Sequence, residues 1–224
     1  MKISACVFDA YGTLLDVHAA VRAHAGRIGP EADAVSALWR TKQLEYTWVR
    51  SLMGLHADFA AVTAEALDHA LAVHGVAADA GLRADLLAAY RELGAFDDAR
   101  ATLAALRAAG LKTAILSNGT PEWLAAAARA AELAGLLDAV WSVESVGVYK
   151  PDPRVYRLAT EGLGLAPAQI GFVSSNPWDA AAAAVNGFRA VRVNRARGPA
   201  EYGRVVSVPE VRALADLPAF FAAA

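Results

Sequence analysis

Two aspartates, a lysine and a group of hydroxyls and amides stand at the ends of short β-rich runs in this chain. Asp9 follows Ile3–Phe8 and opens the segment Asp9-Ala10-Tyr11-Gly12-Thr13. Ser117-Asn118-Gly119 follows the run Lys112–Leu116. Lys150-Pro151 comes after Ala139–Ser142, and Ser174-Ser175-Asn176-Pro177-Trp178-Asp179 follows Gln169–Val173. A carboxylate can act as a nucleophile at saturated carbon, leaving an ester and splitting one hard step into two. An ammonium beside it keeps it ionised and can pair with an anionic substrate. Each segment alone has a plainer reading. Aspartates end many strands before a turn, which Gly12 also favours. A lysine before proline is common at a surface, and Ser-Asn-Gly is an ordinary loop.

The elements that must position these groups follow from the rhythm of the chain. From Lys112 onward, β-rich runs alternate with helical segments, and a fifth run lies at Ala190–Val193. That alternation predicts an α/β fold with a Rossmann-like parallel sheet. Thr120-Pro121 and Asn176-Pro177 each read as an N-cap and first helical residue. Gly110 closes a helix that ends at Ala109. The interval from residue 9 to 111 is far longer than a crossover needs. Most of it reads as helix: Glu31–Met53, with Val35, Leu38, Trp39, Val49, Leu52 and Met53 on one face, then Phe59–Val73 and Leu82–Leu93. Asp97 or Asp98 then caps the normal crossover helix. The pattern divides the chain into an α/β core of residues 1–15 and 97–224 and an inserted helical subdomain of residues 16–96. In a parallel sheet the strand ends converge on one rim, where open α/β sheets bind ligands. The insertion would cover that rim.

Composition excludes other classes. The 224 residues are 56% hydrophobic and 20% charged, enough for a sizeable core and unlike a disordered chain. Alanine runs at 125–128 and 180–184 favour helix. A net charge of −2 gives no basic footprint for nucleic acid. The lone Cys6 excludes an internal disulfide framework and fits a reducing compartment. Asp9 interrupts the N-terminal apolar stretch, so a signal peptide is not expected. No stretch reaches the roughly 18 apolar residues of a spanning helix. The expectation is a soluble, cytoplasmic protein with no membrane partner. The five histidines lack zinc-type spacing. Gly162-Leu163-Gly164 lacks the third glycine of a dinucleotide motif. Cys6 reads as a small buried hydrophobe.

In order and spacing, and across the whole chain, the four strand-end segments resemble the haloacid dehalogenase superfamily. More narrowly they resemble the L-2-haloacid dehalogenases. The inserted segment Trp39-Arg40-Thr41-Lys42-Gln43-Leu44-Glu45-Tyr46-Thr47-Trp48 is similar to that family's cap. The resemblance implies Asp9 as nucleophile, hydrogen-bonded by Thr13, with Lys150 beside it. It implies that Ser117 and Asn118 hold the substrate carboxylate, Asn118 also facing the halide, and that Arg40 stabilises the departing halide. Asp179 would activate the water that cleaves the ester, with Ser174 and Asn176 holding that water or the lysine. Tyr11, Thr41, Leu44, Phe59, Tyr156 and Trp178 would contact substrate. The implied reaction converts a short L-2-haloacid to the D-2-hydroxyacid with inversion, without metal or cofactor, in a homodimer.

Plainer roles remain open for several of these residues. Arg40 could be a solvated charge, and the aromatics could be core. Asp179 at the third helical position also suits a helix dipole. Pro177 departs from the small residue the family more often has, although proline suits a first helical position.

Two rivals share the fold. One is a magnesium-dependent phosphatase, which would carry a second aspartate where this chain has Tyr11 and paired acids where it has Ser174, Ser175 and Asn176. Magnesium needs hard oxygen ligands, usually carboxylates plus water. The other is a non-catalytic binding protein on the same scaffold.

Overall fold

The computed structural model describes residues 2–77 and 80–223. Six parallel strands form one sheet: β1 (Ala5–Phe8), β2 (Lys112–Ser117), β3 (Ala139–Ser142), β4 (Ile170–Ser174), β5 (Arg189–Val193) and β6 (Glu210–Val211). Their spatial order is β3-β2-β1-β4-β5-β6. The order reverses between β1 and β4, whose register pairs Phe8 with Val173. Such a reversal leaves a crevice beyond the carboxyl ends of the strands. β1 is buried at every residue, as a central strand covered on both faces must be. The two-residue β6 is too short to carry a pattern and is absent from the sequence reading.

Five helices lie between β1 and β2 before the crossover helix: α1 (Ala19–Ala23), α2 (Ala25–Ile28), α3 (Ala32–Met53), α4 (Phe59–Val73) and α5 (Ala80–Arg91). The chain leaves and returns through a paired neck. Asp16 N donates to Gly94 O, Phe96 N donates to Leu14 O, and Leu15 bridges Ala95. α4 starts where Asp58 accepts from Ala61 N at 2.7 Å. α3 stops at Gly54, whose φ of +68° suits glycine. The buried face of α3 is Val35, Ser36, Trp39, Gln43 and Thr47. Val35 and Trp39 lie where the periodicity puts them, but Val49, Leu52 and Met53 are exposed. The apolar stripe outruns the neighbours of the helix, and its last turn meets solvent.

The remaining helices follow the expected crossovers: α6 (Ala99–Ala108), α7 (Pro121–Ala130), α8 (Pro153–Leu163), α9 (Pro177–Val185) and, at the C-terminus, α10 (Leu217–Ala222). Thr120 caps α7 through Trp123 N. Asp98 and Asn176 occupy N-cap positions, but neither side chain caps its helix. Asp98 instead accepts from Leu214 N at 2.7 Å and faces Arg195 at 3.5 Å. The alanine runs have a packing use: Ala126–Ala128 of α7 and Ala180, Ala181 and Ala183 of α9 are buried. Small side chains let those helices lie close to the sheet. Among the described residues no helix is long and apolar enough to cross a membrane.

Gly171 in β4 marks another tight contact. A Cβ there would sit 2.6 Å from Phe221 Cζ and 3.2 Å from Ile3 Cδ1. Gly171→Ala is therefore expected to cost about 1–3 kcal/mol through overpacking. Urea unfolding measures this, and an unchanged midpoint would show that α10 yields freely.

Candidate active site

The strand ends converge as the parallel topology requires. Asp9 stands one residue past β1, Ser117 ends β2, Ser174 ends β4, and Asp179 lies in the first turn of α9. Lys150 reaches both carboxylates, with Nζ 3.2 Å from Asp9 Oδ1 and 2.9 Å from Asp179 Oδ2. All three are almost wholly enclosed: the side chains of Lys150, Asp9 and Asp179 are 1%, 8% and 0% exposed.

Burying an ion costs several kcal/mol unless it is paired and hydrogen-bonded. Here the pairing is dense. Thr13 Oγ1 donates to Asp9 Oδ2 at 3.0 Å, and Asn176 Nδ2 donates to the same oxygen at 2.8 Å. Tyr156 OH donates to Asp179 Oδ1 at 2.6 Å. Asp9 Oδ1 has Lys150 alone among the described residues, so it is the freer oxygen of the nucleophile candidate.

The electrostatics follow from burial and pairing together. Burial pulls the Lys150 ammonium down, but Asp179 and Asp9 outweigh it and hold it above its ordinary value. Burial pushes the Asp179 carboxyl above the usual carboxylate range; Lys150 and the Tyr156 hydroxyl oppose that rise. The Tyr156 phenol is held well above its ordinary value by burial and by Asp179, so it stays a donor.

Arg40 is brought in from α3. Its Nη2 donates to Tyr11 O at 3.0 Å and to Asn176 Oδ1 at 3.3 Å. That explains why Asn176 leaves its helix uncapped: its amide bridges Arg40 and Asp9. Tyr11 lies against Phe59, ring centroids 4.9 Å apart, and forms one apolar wall. Its buried hydroxyl has no hydrogen-bond partner among the described residues. Trp178 stands edge-on to Trp48 at 5.4 Å and lines a groove of about 550 Å³ that Lys150 also borders. Leu44 is half-buried on α3.

Two side chains, Thr41 and Tyr156, are placed otherwise than the resemblance implies, and Ser117, Ser174 and Asn118 each carry a contact within the protein as well. Thr41 is exposed, and its hydroxyl donates to Ala37 O one turn back, so it is turned from the site. Tyr156 packs its ring on Phe172 and Phe188 and spends its hydroxyl on the Asp179 carboxylate. Ser117 Oγ accepts from Gly119 N, and Ser174 Oγ accepts from Asn176 N; both shape their turns. Asn118 Oδ1 accepts from Lys150 N at 3.1 Å and so fixes the lysine backbone.

Three contributors escape the sequence reading. Arg195, after β5, donates to Thr13 O at 3.0 Å and Ser175 Oγ at 2.9 Å, and stacks over Phe96 at 3.9 Å. Gln43 and Tyr90 lie buried behind Arg40. A polar residue three positions after Arg40 on one helix face was the available signal.

Two carboxylates bridged by a lysine at the switch point of a parallel sheet make a site suited to hydrolase chemistry. A family model for haloacid dehalogenase-like hydrolases matches residues 3–187, and the chain belongs to that superfamily. Its place within the superfamily is the L-2-haloacid dehalogenase family. It is 51% identical over 216 residues to (S)-2-haloacid dehalogenase 1 of Pseudomonas sp. (strain CBS-3), covering 96% of this chain and 95% of that protein. It is 47% identical over 216 residues to (S)-2-haloacid dehalogenase 4A of Burkholderia cepacia, covering 96% of this chain and 94% of the relative. Among solved structures it matches L-2-haloacid dehalogenase from Xanthobacter autotrophicus with chloropropionic acid covalently bound. The TM-score is 0.89 at 40% identity, covering 98% of each chain.

Lys150 is the group this arrangement can least lose. Lys150→Met leaves two buried carboxylates without their cation, and about 3–5 kcal/mol of destabilisation is expected near neutral pH. Protonation relieves the unpaired charges, so the deficit against wild type is expected to shrink as pH falls. Urea unfolding at two pH values measures both, and a deficit that grew on acidification would contradict the pairing.

Proposed function

We propose that this chain hydrolyses short L-2-haloacids to D-2-hydroxyacids through an ester on Asp9. The observation that carries the reading is the environment of Asp9. It is a buried carboxylate with two donors on Oδ2, a freer Oδ1, and the Arg40 guanidinium held across Tyr11 and Asn176. The named activities of the relatives and the covalent chloropropionic acid adduct of the Xanthobacter enzyme support it.

In this reading Oδ1 attacks the α-carbon from the face opposite the halogen. The carbon–oxygen bond forms as the carbon–halogen bond breaks, so configuration inverts. The halide leaves with the electron pair toward Arg40 and Asn118, where fixed donors in a dry site stabilise developing charge most. The substrate carboxylate is taken by Lys150 and the Ser117–Asn118 turn, against the apolar wall of Tyr11, Leu44, Phe59 and Trp178. Water then attacks the carbonyl carbon of the Asp9 ester and passes its proton to Asp179. The acyl–oxygen bond breaks, the leaving alkoxide takes the proton of the new Asp9 carboxyl to become the hydroxyacid, Asp9 is again ionised, and Asp179 gives its proton to solvent. Burial raises the proton affinity of Asp179, which suits a general base.

Residues 16–96 act as a cap over the strand ends. The cap also offers a surface for a second copy, since Val49, Leu52, Met53 and Leu55 are exposed together at the end of α3.

The decisive assay is halide release from L- and D-2-chloropropionate in the presence of chelator. The L form alone is expected to react. Asp9→Asn is expected to lower the rate by at least about 10³-fold, and Arg40→Ala by about 10²–10³-fold. Release that survives Asp9→Asn would sink the nucleophile assignment, and dependence on magnesium would favour phosphatase-like chemistry.

A pH–rate profile tests the base. Asp179 must be ionised to accept a proton, so activity falls as pH drops through its pKa, above the usual carboxylate range. The Tyr156 hydroxyl lowers that pKa. Tyr156→Phe is therefore expected to move the acid limb of kcat to higher pH. A limb that stayed in place would separate Tyr156 from the base.

A further inference from the structure

Behind Arg40 lies a polar cluster in a helical segment that is otherwise apolar at its centre. Gln43 is 0% and Tyr90 2% exposed. Gln43 Oε1 accepts from Arg40 Nη1 at 2.8 Å and from Tyr90 OH at 3.0 Å. Gln43 Nε2 donates to Thr63 Oγ1 at 2.6 Å, and Thr63 Oγ1 donates its own proton to Phe59 O at 2.6 Å. A carbonyl can only accept, so the Thr63 hydroxyl has no second proton to give. It must therefore accept from Gln43, which fixes the amide with nitrogen toward Thr63 and oxygen toward Arg40. Trp39 Nε1, bonded to Thr63 O at 2.8 Å, locks the threonine from the other side.

The phenol is fixed too. Tyr90 stacks on Tyr11 with centroids 5.6 Å apart and planes at 11°, and tilts against Trp39 at 4.9 Å. A buried amide and phenol would be replaced by leucine or methionine at little cost if packing were their only task. Here the polar atoms form one hydrogen-bonded chain that reaches Arg40 through a single contact, Gln43 Oε1 on Nη1.

We infer that Gln43, backed by Tyr90 and Thr63, is a positioning residue that orients the Arg40 guanidinium toward the leaving halide. This rests on the dehalogenase reading above and adds residues to it. Arg40 spans α3 and the Asp9 loop, and its Nη2 is already committed to Tyr11 O and Asn176 Oδ1. The Gln43 bond holds Nη1, so the planar fork cannot swing about its stem. A fork held in place costs no reorganisation when charge develops on the halogen.

The experiment compares wild type, Gln43→Met, Tyr90→Phe, Arg40→Lys and the Gln43→Met/Arg40→Lys double variant on L-2-chloropropionate and L-2-bromopropionate. Gln43→Met keeps the volume and removes the hydrogen bonds. It is expected to lower kcat by about 10- to 100-fold with KM within about threefold of wild type. The loss is expected to be larger for chloride, whose smaller ion demands more stabilisation, than for bromide. In the Arg40→Lys background, which has no fork to orient, the same substitution is expected to cost less than about threefold.

A merely structural role predicts equal loss in both backgrounds and for both halides, and that outcome overturns the inference. So does a wild-type kcat in Gln43→Met. Should Gln43→Met fail to fold, Tyr90→Phe decides. A smaller loss with the same halide bias supports the role, and wild-type behaviour overturns it. A wild type that releases no halide overturns the activity itself, whereas an active wild type matched by its variants overturns the positioning role alone.

Discussion

A single ammonium between two buried carboxylates is the constraint on which the rest of this protein turns. Lys150, Asp9 and Asp179 carry one net negative charge in a space almost closed to water. Such a trio persists only where further donors complete the lone pairs, and Thr13, Asn176 and Tyr156 supply them. Arg40 brings the local sum to zero. Any anion that arrives adds negative charge, which two cations are able to offset as they offset the resting carboxylates. The same pairing separates the acids chemically. Asp9 is held at three points but keeps one freer oxygen, while Asp179 is fully buried with its pKa raised. One carboxylate is fit to attack and the other to accept a proton.

The sheet makes that meeting possible. Loops after β1, β2 and β4 open on the same side because the strands are parallel, and the segment after β3 returns Lys150 to the same rim. No pair among Asp9, Lys150 and Asp179 is close in sequence. A misregistered strand would flip side chains away from that rim. The register of β1 with β4 therefore brings these side chains together as well as pairing the strands. Arg195 adds a clamp that the strands cannot provide, joining the turn of Thr13, Ser175 and the returning segment at Phe96.

What the sequence displays is backbone context; what it hides is partnership. The strand-end residues were legible because a carboxylate, a Ser-Asn turn or a lysine directly after a β-rich run is a local pattern. The starts of α7 and α9 were legible for the same reason. Which side chain an N-cap residue bonds was not: Asn176 turns to Asp9, which lies 167 positions away, and Asp98 to Leu214 N, 116 positions away. For Asn176, a capping bond to a neutral backbone amide yields to the charged Asp9 carboxylate that the fold offers. The face of α3 was half legible. Val35 and Trp39 kept to it, but Val49, Leu52 and Met53 did not, because burial depends on where neighbouring helices stop. Tyr156 reads as a pocket residue in the sequence but donates its hydroxyl to Asp179, since an aromatic at helical spacing does not announce which way its hydroxyl points. Gln43 on α3 and Tyr90 on α5 gave no signal beyond their own polarity.

The two kinds of contact around the insertion have different costs. The neck at Leu14–Asp16 and Gly94–Phe96 is backbone-paired and flanked by the core. At the mouth the insertion meets the core through side chains: Arg40 with Tyr11 and Asn176, His56 and Phe59 N with Glu144, and Ser51 with Tyr149 N. Polar contacts near solvent exchange for water at little net cost, whereas a buried backbone pair does not. Arg40 belongs to both kinds of contact: Nη2 meets the core at Tyr11 O and Asn176 Oδ1, while Nη1 meets Gln43 within the helical segment. The Gln43 contact lies on α3 itself, so the guanidinium keeps an anchor on its own helix whichever core contact exchanges for water.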